Sequence, residues 1–206
     1  MKILFNKDQV VLDIKNISKH FNTSQNKTLT ACNEINLQLS KGQTLGIVGE
    51  SGCGKSTLAR ILMQLEKPSA GEIIYHDKNL LLLNSKEIRN NRKNIQMIFQ
   101  DPLSAFNPKM KIIDILTEPL FNFKLIKKKE KEEIAIKLLK MVELPYDILY
   151  RYPHNLSGGQ RQRISIARAI SLEPEVLICD ESTSALDVSV QSKIIKLLLK
   201  LQKEKA

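Results

Sequence analysis

The sequence has no apolar stretch approaching the ~20 residues that a membrane-spanning helix requires. Runs such as Leu80–Leu83 are far too short. The first ten residues, "MKILFNKDQV", lack the apolar core of a secretory signal. Cysteine is scarce. Cys32, Cys53 and Cys179 are widely spaced and match no metal-ligand pattern, and an odd count of 3 excludes a complete disulfide framework. They read as reduced thiols, and the expected compartment is the cytoplasm. Internal repeats, low-complexity segments and linkers are missing too. At 206 residues the chain therefore reads as one domain with room for an inserted subdomain.

Basic residues are plentiful but not concentrated. A formal net charge of +10 raises the idea of a nucleic-acid or membrane-surface partner. The basic residues are scattered, however, and lysine outnumbers arginine, the residue that leads in reading base edges. No specific nucleic-acid partner is expected. The one dense run, Lys127 to Lys131, leads into "EKEEIAIKLLKMVEL". Its mixed signs at helical spacing predict a solvated helix face, with anionic lipid headgroups as the open alternative.

Hydrophobic periodicity sets the organisation. Val10–Ile14 and Leu29–Leu39 alternate and predict strands. "TLGIVG", Thr44–Gly49, is a continuous apolar run and predicts a strand buried on both faces. "KSTLARILMQLE" has helical spacing and ends before Pro68, and "GEIIYH" and "IQMIF" predict two short strands. After Asp101 the character changes. Pro102, Asn107 and Pro108 break the start, and Ile112–Leu120 and Lys128–Leu144 are helical, which predicts a helical subdomain at roughly 101–156 inserted in the core. "GGQRQRISIARAISL" predicts a helix, "EVLICD" a buried strand and Val188–Lys203 a last amphipathic helix. Strands alternating with helices argue for an α/β fold with a mainly parallel sheet.

Three short stretches carry chemistry. "GESGCGKST" comprises Gly49, Glu50, Ser51, Gly52, Cys53, Gly54, Lys55, Ser56 and Thr57. It satisfies G-x-x-x-x-G-K-[ST] after a predicted strand and before a predicted helix. Glycines let the backbone wrap a phosphate chain with N–H groups inward, and the helix N-terminus adds a favourable dipole. Lys55 supplies positive charge to the β- and γ-phosphates, and Ser56 a hydroxyl to Mg²⁺. In the second stretch, Asp180 ends an apolar strand and suits the metal, while Glu181 beside it suits orienting or deprotonating the attacking water. In the third, "LSGGQRQR", Ser157, Gly158, Gly159 and Gln160 head a helix, either as an ordinary cap or as a second anion-binding N-terminus.

LSGGQ, after a phosphate loop and shortly before the Asp180–Glu181 pair, resembles the signature of ATP-binding-cassette (ABC) ATPases, in order, spacing and residue type over essentially the whole chain. The resemblance implies a P-loop NTPase (RecA-like) core with an antiparallel N-terminal β part, ATP and Mg²⁺ as ligands, and a head-to-tail dimer with a homologous subunit or a second copy. Each ATP would lie between the phosphate loop of one subunit and Ser157–Gln160 of the other. Gln100 resembles the glutamine that meets Mg²⁺ and water and links the site to a membrane partner. Asp187, in "SALD", resembles the acidic residue of a loop at the dimer interface. Phe21 stands where the family places an aromatic that stacks on adenine. Taken alone, an aromatic at a strand end reads as core.

"IFQDPLSAFNPKM" and "YPHNLSGGQRQRI" are similar to the oligopeptide/dipeptide/nickel branch of ABC importers. That resemblance implies an ATPase subunit at the cytoplasmic face of the cell membrane, working with permease subunits and, indirectly, a substrate-binding protein. The family pattern departs in two places. Ser182 stands where proline is usual. The family also continues into a further central strand ending in a histidine that touches the γ-phosphate, and His20, His76 and His154 lie upstream of that position. The expectation is a truncated cassette, lacking its last core strands and poorly stable alone. Two other readings stay open: a remnant that binds ATP with little hydrolysis, and a soluble ABC-type ATPase.

Overall fold

A computed structural model describes residues 10–22, 28–101, 103, 105–180 and 188–205. They form two compact units, one up to Arg92 and one over Lys93–Lys205. Glu181 and Asp187 lie outside the described residues. Among the described residues no helix is long and apolar enough to cross a membrane.

The first unit is built on a long antiparallel hairpin of β1 (Val10–Asn22) and β2 (Thr28–Ser40), with Val10 opposite Ser40 and Asn22 opposite Thr28. β3 (Ala70–Tyr75) pairs with the other edge of β1, and β4 (Lys78–Asn79) with β3, in the order β2-β1-β3-β4. The β3–β4 connection is a two-residue turn with His76 and Asp77 both at positive φ, the geometry that matches strand twist in tight hairpins. Strand β1 outruns the alternation that predicted it. Asn16 takes a left-handed conformation, φ 51, and the register shifts beside it, so the burial pattern resumes with Ile17 after a bulge. Helix α1 (Lys55–Leu62) buries Leu58, Ala59, Ile61 and Leu62.

Thr44–Gly49 departs from expectation. No described strand pairs with this segment, and Leu45, Ile47 and Val48 are 42%, 50% and 96% exposed. Apolar composition makes a strand only where neighbours accept its backbone ladder, and no such neighbour flanks it among the described residues. A short helix, α2 (Ser85–Asn91), has no buried residue and so no periodic signal. An Asn84–Glu87 capping box starts it, with the Asn84 side chain accepting from Glu87 N–H and the Glu87 side chain from Asn84 N–H.

In the second unit β5 (Ile95–Ile98) and β6 (Val176–Cys179) form a parallel pair, Ile95 opposite Val176 and Ile98 opposite Cys179. Three helices follow β5 in sequence: α3 (Ile112–Asn122), α4 (Lys131–Met141) and α5 (Gly158–Ile170). Their core holds Ile98, Ile112, Leu116, Leu139, Ile164 and Ile166, and α6 (Val188–Lys205) adds Ile194, Leu197 and Leu201 from one helical face.

Helix ends reveal an economy. The chain has only 8 glycines, and the left-handed residues that close α1, α3 and α4 are Gln64, Lys124 and Glu143. Each closure has the same paired bonds. After α3, Lys124 N–H donates to Phe121 O and Leu125 N–H to Leu120 O, both at 2.9 Å. A side chain there carries a left-handed penalty of about 1–2 kcal/mol, partly offset by the unfolded-state entropy that glycine would add. Lys124→Gly is therefore expected to stabilise the chain by up to about 1 kcal/mol, read as a higher urea midpoint at unchanged slope.

Candidate functional site

Strand β2 places one glycine of the loop, Gly54. A Cβ at Gly54 would lie 2.0 Å from the Ala31 carbonyl oxygen and 3.0 Å from its carbon, and Gly54 has φ 95. Only glycine fits there. Gly54 is the N-cap of α1. No side chain caps the helix and no acidic residue occupies its first turn, so no carboxylate within that turn opposes the positive potential of the helix start. The loop before it turns tightly through Cys53 N–H to Glu50 O, 3.3 Å.

Lys55 folds back over this loop. Its ammonium donates to the carbonyls of Gly49 and Glu50, both at 2.8 Å, and lies 3.6 Å from the Cys53 sulfur. The arrangement holds a cation against two adjacent main-chain carbonyls, in an exposed loop where Gly49, Glu50, Ser51, Gly52, Cys53 and Ser56 all face solvent. Beneath it the Cys32 thiol is buried, 3.9 Å from the Gly54 carbonyl oxygen. Burial first, and then the neighbouring Cys53, raise the Cys32 pKa above the ordinary thiol value. Phe21 lies on β1 opposite Leu29 of β2, half-buried. The structure therefore brings Phe21 and the 49–57 loop onto the same hairpin.

The second unit gathers another group. Asp180 follows β6 and its N–H donates to Ile98 O at 3.2 Å, so it extends the ladder by one bond. Gln100 follows β5 by two residues. Gln100 and Asp180 thus stand at the same, C-terminal end of a parallel strand pair, where open α/β sheets bind ligands.

Ser157 caps α5. Its hydroxyl accepts from Gln160 N–H at 3.3 Å, and the Gln160 side chain accepts from Ser157 N–H at 3.0 Å. The cap and the anion-binding readings coexist, because a capping hydroxyl still has a proton to donate. Sequence reasoning missed what fixes this turn. Arg161 donates to Leu156 O at 2.7 Å, and Arg163 to Val142 O at 3.1 Å. Arg168 reaches Glu118 at 3.0 Å and Ala105 O at 3.3 Å. Bonds to distant carbonyls leave no spacing signal. Only the density of arginine along one helix hinted at them.

The family described as ABC transporter matches residues 32–184. The chain is 44% identical over 214 residues to the oligopeptide transport ATP-binding protein OppF of Salmonella typhimurium, covering 99% of this chain and 64% of that protein. It is 46% identical over 198 residues to OppF of Bacillus subtilis, covering 95% and 64%. It thus spans less than two thirds of the length of these curated relatives. Among solved structures it matches the ATP-binding cassette MJ0796, a dimer in a post-hydrolysis state bound to ADP and Pi, with a TM-score of 0.84 and 32% identity over 94% of this chain and 83% of that one.

Two outcomes follow from the loop geometry. Gly54→Ala forces the main chain of β2 or of α1 to move, whereas Gly52 has open space around its Cβ position and carries only a φ of 82. Gly52→Ala is expected to cost about 1–2 kcal/mol, and Gly54→Ala clearly more, in paired thermal melts. Because the folded state favours the protonated Cys32 thiol, its stabilising contribution is full below the ordinary thiol value of 9.0 and is lost as pH rises through the raised folded value. Cys32→Ala should flatten that alkaline decline in melts run from neutral to strongly alkaline pH.

Proposed function

Because the chain belongs to the ABC transporter family, we propose that it is the ATP-binding and ATP-hydrolysing subunit of a membrane importer, with peptides as the cargo class. The observation that carries this reading is the Lys55 ammonium held on the Gly49 and Glu50 carbonyls at the uncapped start of α1. The peptide class rests on the OppF relatives, since no described residue is assigned to cargo.

The loop does the binding. A triphosphate entering it replaces weak carbonyl acceptors with phosphate oxygens, and the Lys55 ammonium gains a charge-assisted partner. Loop N–H groups and the start of α1 donate to the same phosphates. Phe21 provides a stacking face for the base. Mg²⁺ is a hard ion that takes a few protein oxygens alongside phosphate, and the Ser56 hydroxyl, Gln100 amide and Asp180 carboxylate are donors of that kind. Among the described residues no group of three or more His, Cys, Asp or Glu forms an all-protein metal cage. When bound, the ion neutralises charge on the phosphates.

For hydrolysis we assign Glu181 as the base that orients water towards the γ-phosphate, with Gln100 holding that water. A second ATPase subunit, identical or homologous, closes head to tail. It presents its Ser157–Gln160 helix start to the phosphates, with Asp187 at the subunit boundary. A helix N-terminus delivered only on closure makes transition-state stabilisation conditional on the dimer. Permease subunits hold the ATPase at the cytoplasmic face of the membrane, and a substrate-binding protein acts through them. The whole of residues 1–206 is read as one nucleotide-binding domain, with 101–156 as its helical insertion.

Two measurements decide the reading. Saturating MgATP, at ~100 times its dissociation constant, should stabilise the chain by about 2.7 kcal/mol and raise its melting temperature. It should also shield the exposed Cys53 thiol from iodoacetamide while leaving exposed Cys179 reactive. An unmoved melt together with unshielded Cys53 sinks the reading. In the assembled transporter, Glu181→Gln is expected to retain ATP binding and reduce turnover by about 100-fold or more.

A further inference from the structure

Lys19 and Phe21 are two residues apart on β1, so their side chains leave the same face of the strand. The Lys19 ammonium lies 4.8 Å from the Phe21 ring centroid, within cation–π range. It is not a loose surface lysine. It donates to the Glu66 carboxylate at 2.6 Å and to the Lys67 carbonyl at 2.7 Å, and its side chain is only 13% exposed.

The neighbours tie the same strand to the same segment. Ser69 N–H donates to Ser18 O at 2.7 Å, and His20 N–H donates to the Ser69 hydroxyl at 3.0 Å. That segment follows directly from the end of α1, where Leu65 and Glu66 N–H both donate to Arg60 O. The helix that begins with Lys55 therefore ends in a clamp on Lys19. Phosphate loop and Phe21 are joined through one short rigid element as well as through the hairpin.

We propose that Lys19 is a positioning and selectivity residue for a purine base stacked on Phe21. The ammonium fixes the ring in the plane it occupies. It also draws π-density towards itself, which leaves the opposite face less negative and better suited to an electron-rich purine. The proposal rests on the reading that the nucleotide base lies on Phe21. Lys19 meets no reacting atom and acts through the ring. A purely structural ion pair would alter stability and treat all phosphate ligands alike. A base platform alters only ligands that carry a base.

The test is calorimetric titration of the full chain with MgATP and with magnesium tripolyphosphate, which has the phosphate chain and no base. Lys19→Met is expected to weaken ATP about fivefold to tenfold and to leave tripolyphosphate unchanged. Lys19→Arg keeps a cation over the ring and should hold ATP affinity within about twofold of the unaltered chain. Glu66→Ala removes the side-chain acceptor that holds the ammonium in place while leaving β1 intact, and should weaken ATP alone. It decides the matter should Lys19→Met not fold. ATP binding that is unchanged in Lys19→Met, or lost in step with tripolyphosphate, overturns the proposal. So does a Phe21→Ala chain that binds ATP normally, which would leave the ATPase reading intact. An unaltered chain that binds neither ligand overturns the ATPase reading and this proposal with it.

Discussion

The carbonyl of Ala31 lies so close to Gly54 that no side chain can come between them, and the placement of the 49–57 loop against the hairpin depends on that approach. Contact between two backbones fixes where α1 begins relative to β2. Leu29, opposite Phe21, is two residues along the same strand from Ala31, or about 7 Å. The hairpin therefore acts as a ruler. One position along it supports the 49–57 loop proposed to wrap phosphates, and the next position towards the tip lies opposite the aromatic ring. A change of hairpin register would move both, and a one-residue slip would also turn the buried Leu12, Ile14 and Ile17 set towards solvent.

Charge is arranged to leave this surface receptive to anions. Lys55 is satisfied by neutral carbonyls, which are weaker partners than phosphate oxygens, so binding exchanges poor acceptors for good ones. The first turn of α1 holds no carboxylate. Beneath the loop, burial keeps the Cys32 thiol protonated, so a sulfur 3.9 Å from the Gly54 carbonyl adds no negative charge to oppose a phosphate. Each feature is small. Together they make the helix start positive without burying an unpaired cation.

The chemistry was more legible in the sequence than the architecture. Phosphate loop, Asp180 strand end and Ser157 helix start were visible because each needs particular residue types at fixed spacing; the structure gives the last two the expected strand and helix, and the loop its following helix α1 but not the strand expected before it. Failures arose where local pattern does not decide. Thr44–Gly49 is apolar enough for a buried strand, but strand formation depends on partners elsewhere in the chain. Alternation stopped at Ile14 because a bulge at Asn16 shifts its phase, although the strand continues to Asn22. Helix α2 buries nothing, so hydrophobic periodicity could not mark it, yet its Asn84-x-x-Glu87 capping box was there to be read. Lys19 escaped because its partners, Phe21, Glu66 and Lys67, come together only after β1 and the end of α1 have been brought side by side.

The two helix starts differ in a way that suits different tasks. α1 begins at a glycine with no side-chain cap and no acidic residue in its first turn. α5 begins with a closed box in which Ser157 and Gln160 satisfy each other's backbone, and Arg161 pins the preceding Leu156 carbonyl. Its buried face, Ile164, Ile166 and Ala167, sits in the core, while Arg163 and Arg168 reach carbonyls and a carboxylate on other segments. A helix start of this kind pays its ordering cost during folding, so little is left to lose when it meets a ligand. The start of α1 carries no competing side-chain cap. If a nucleotide is shared between the loop of one subunit and the cap of another, affinity should reside mainly in the loop. The α5 cap should then act chiefly through geometry, which is the division of labour that lets closure, rather than first binding, control the reaction.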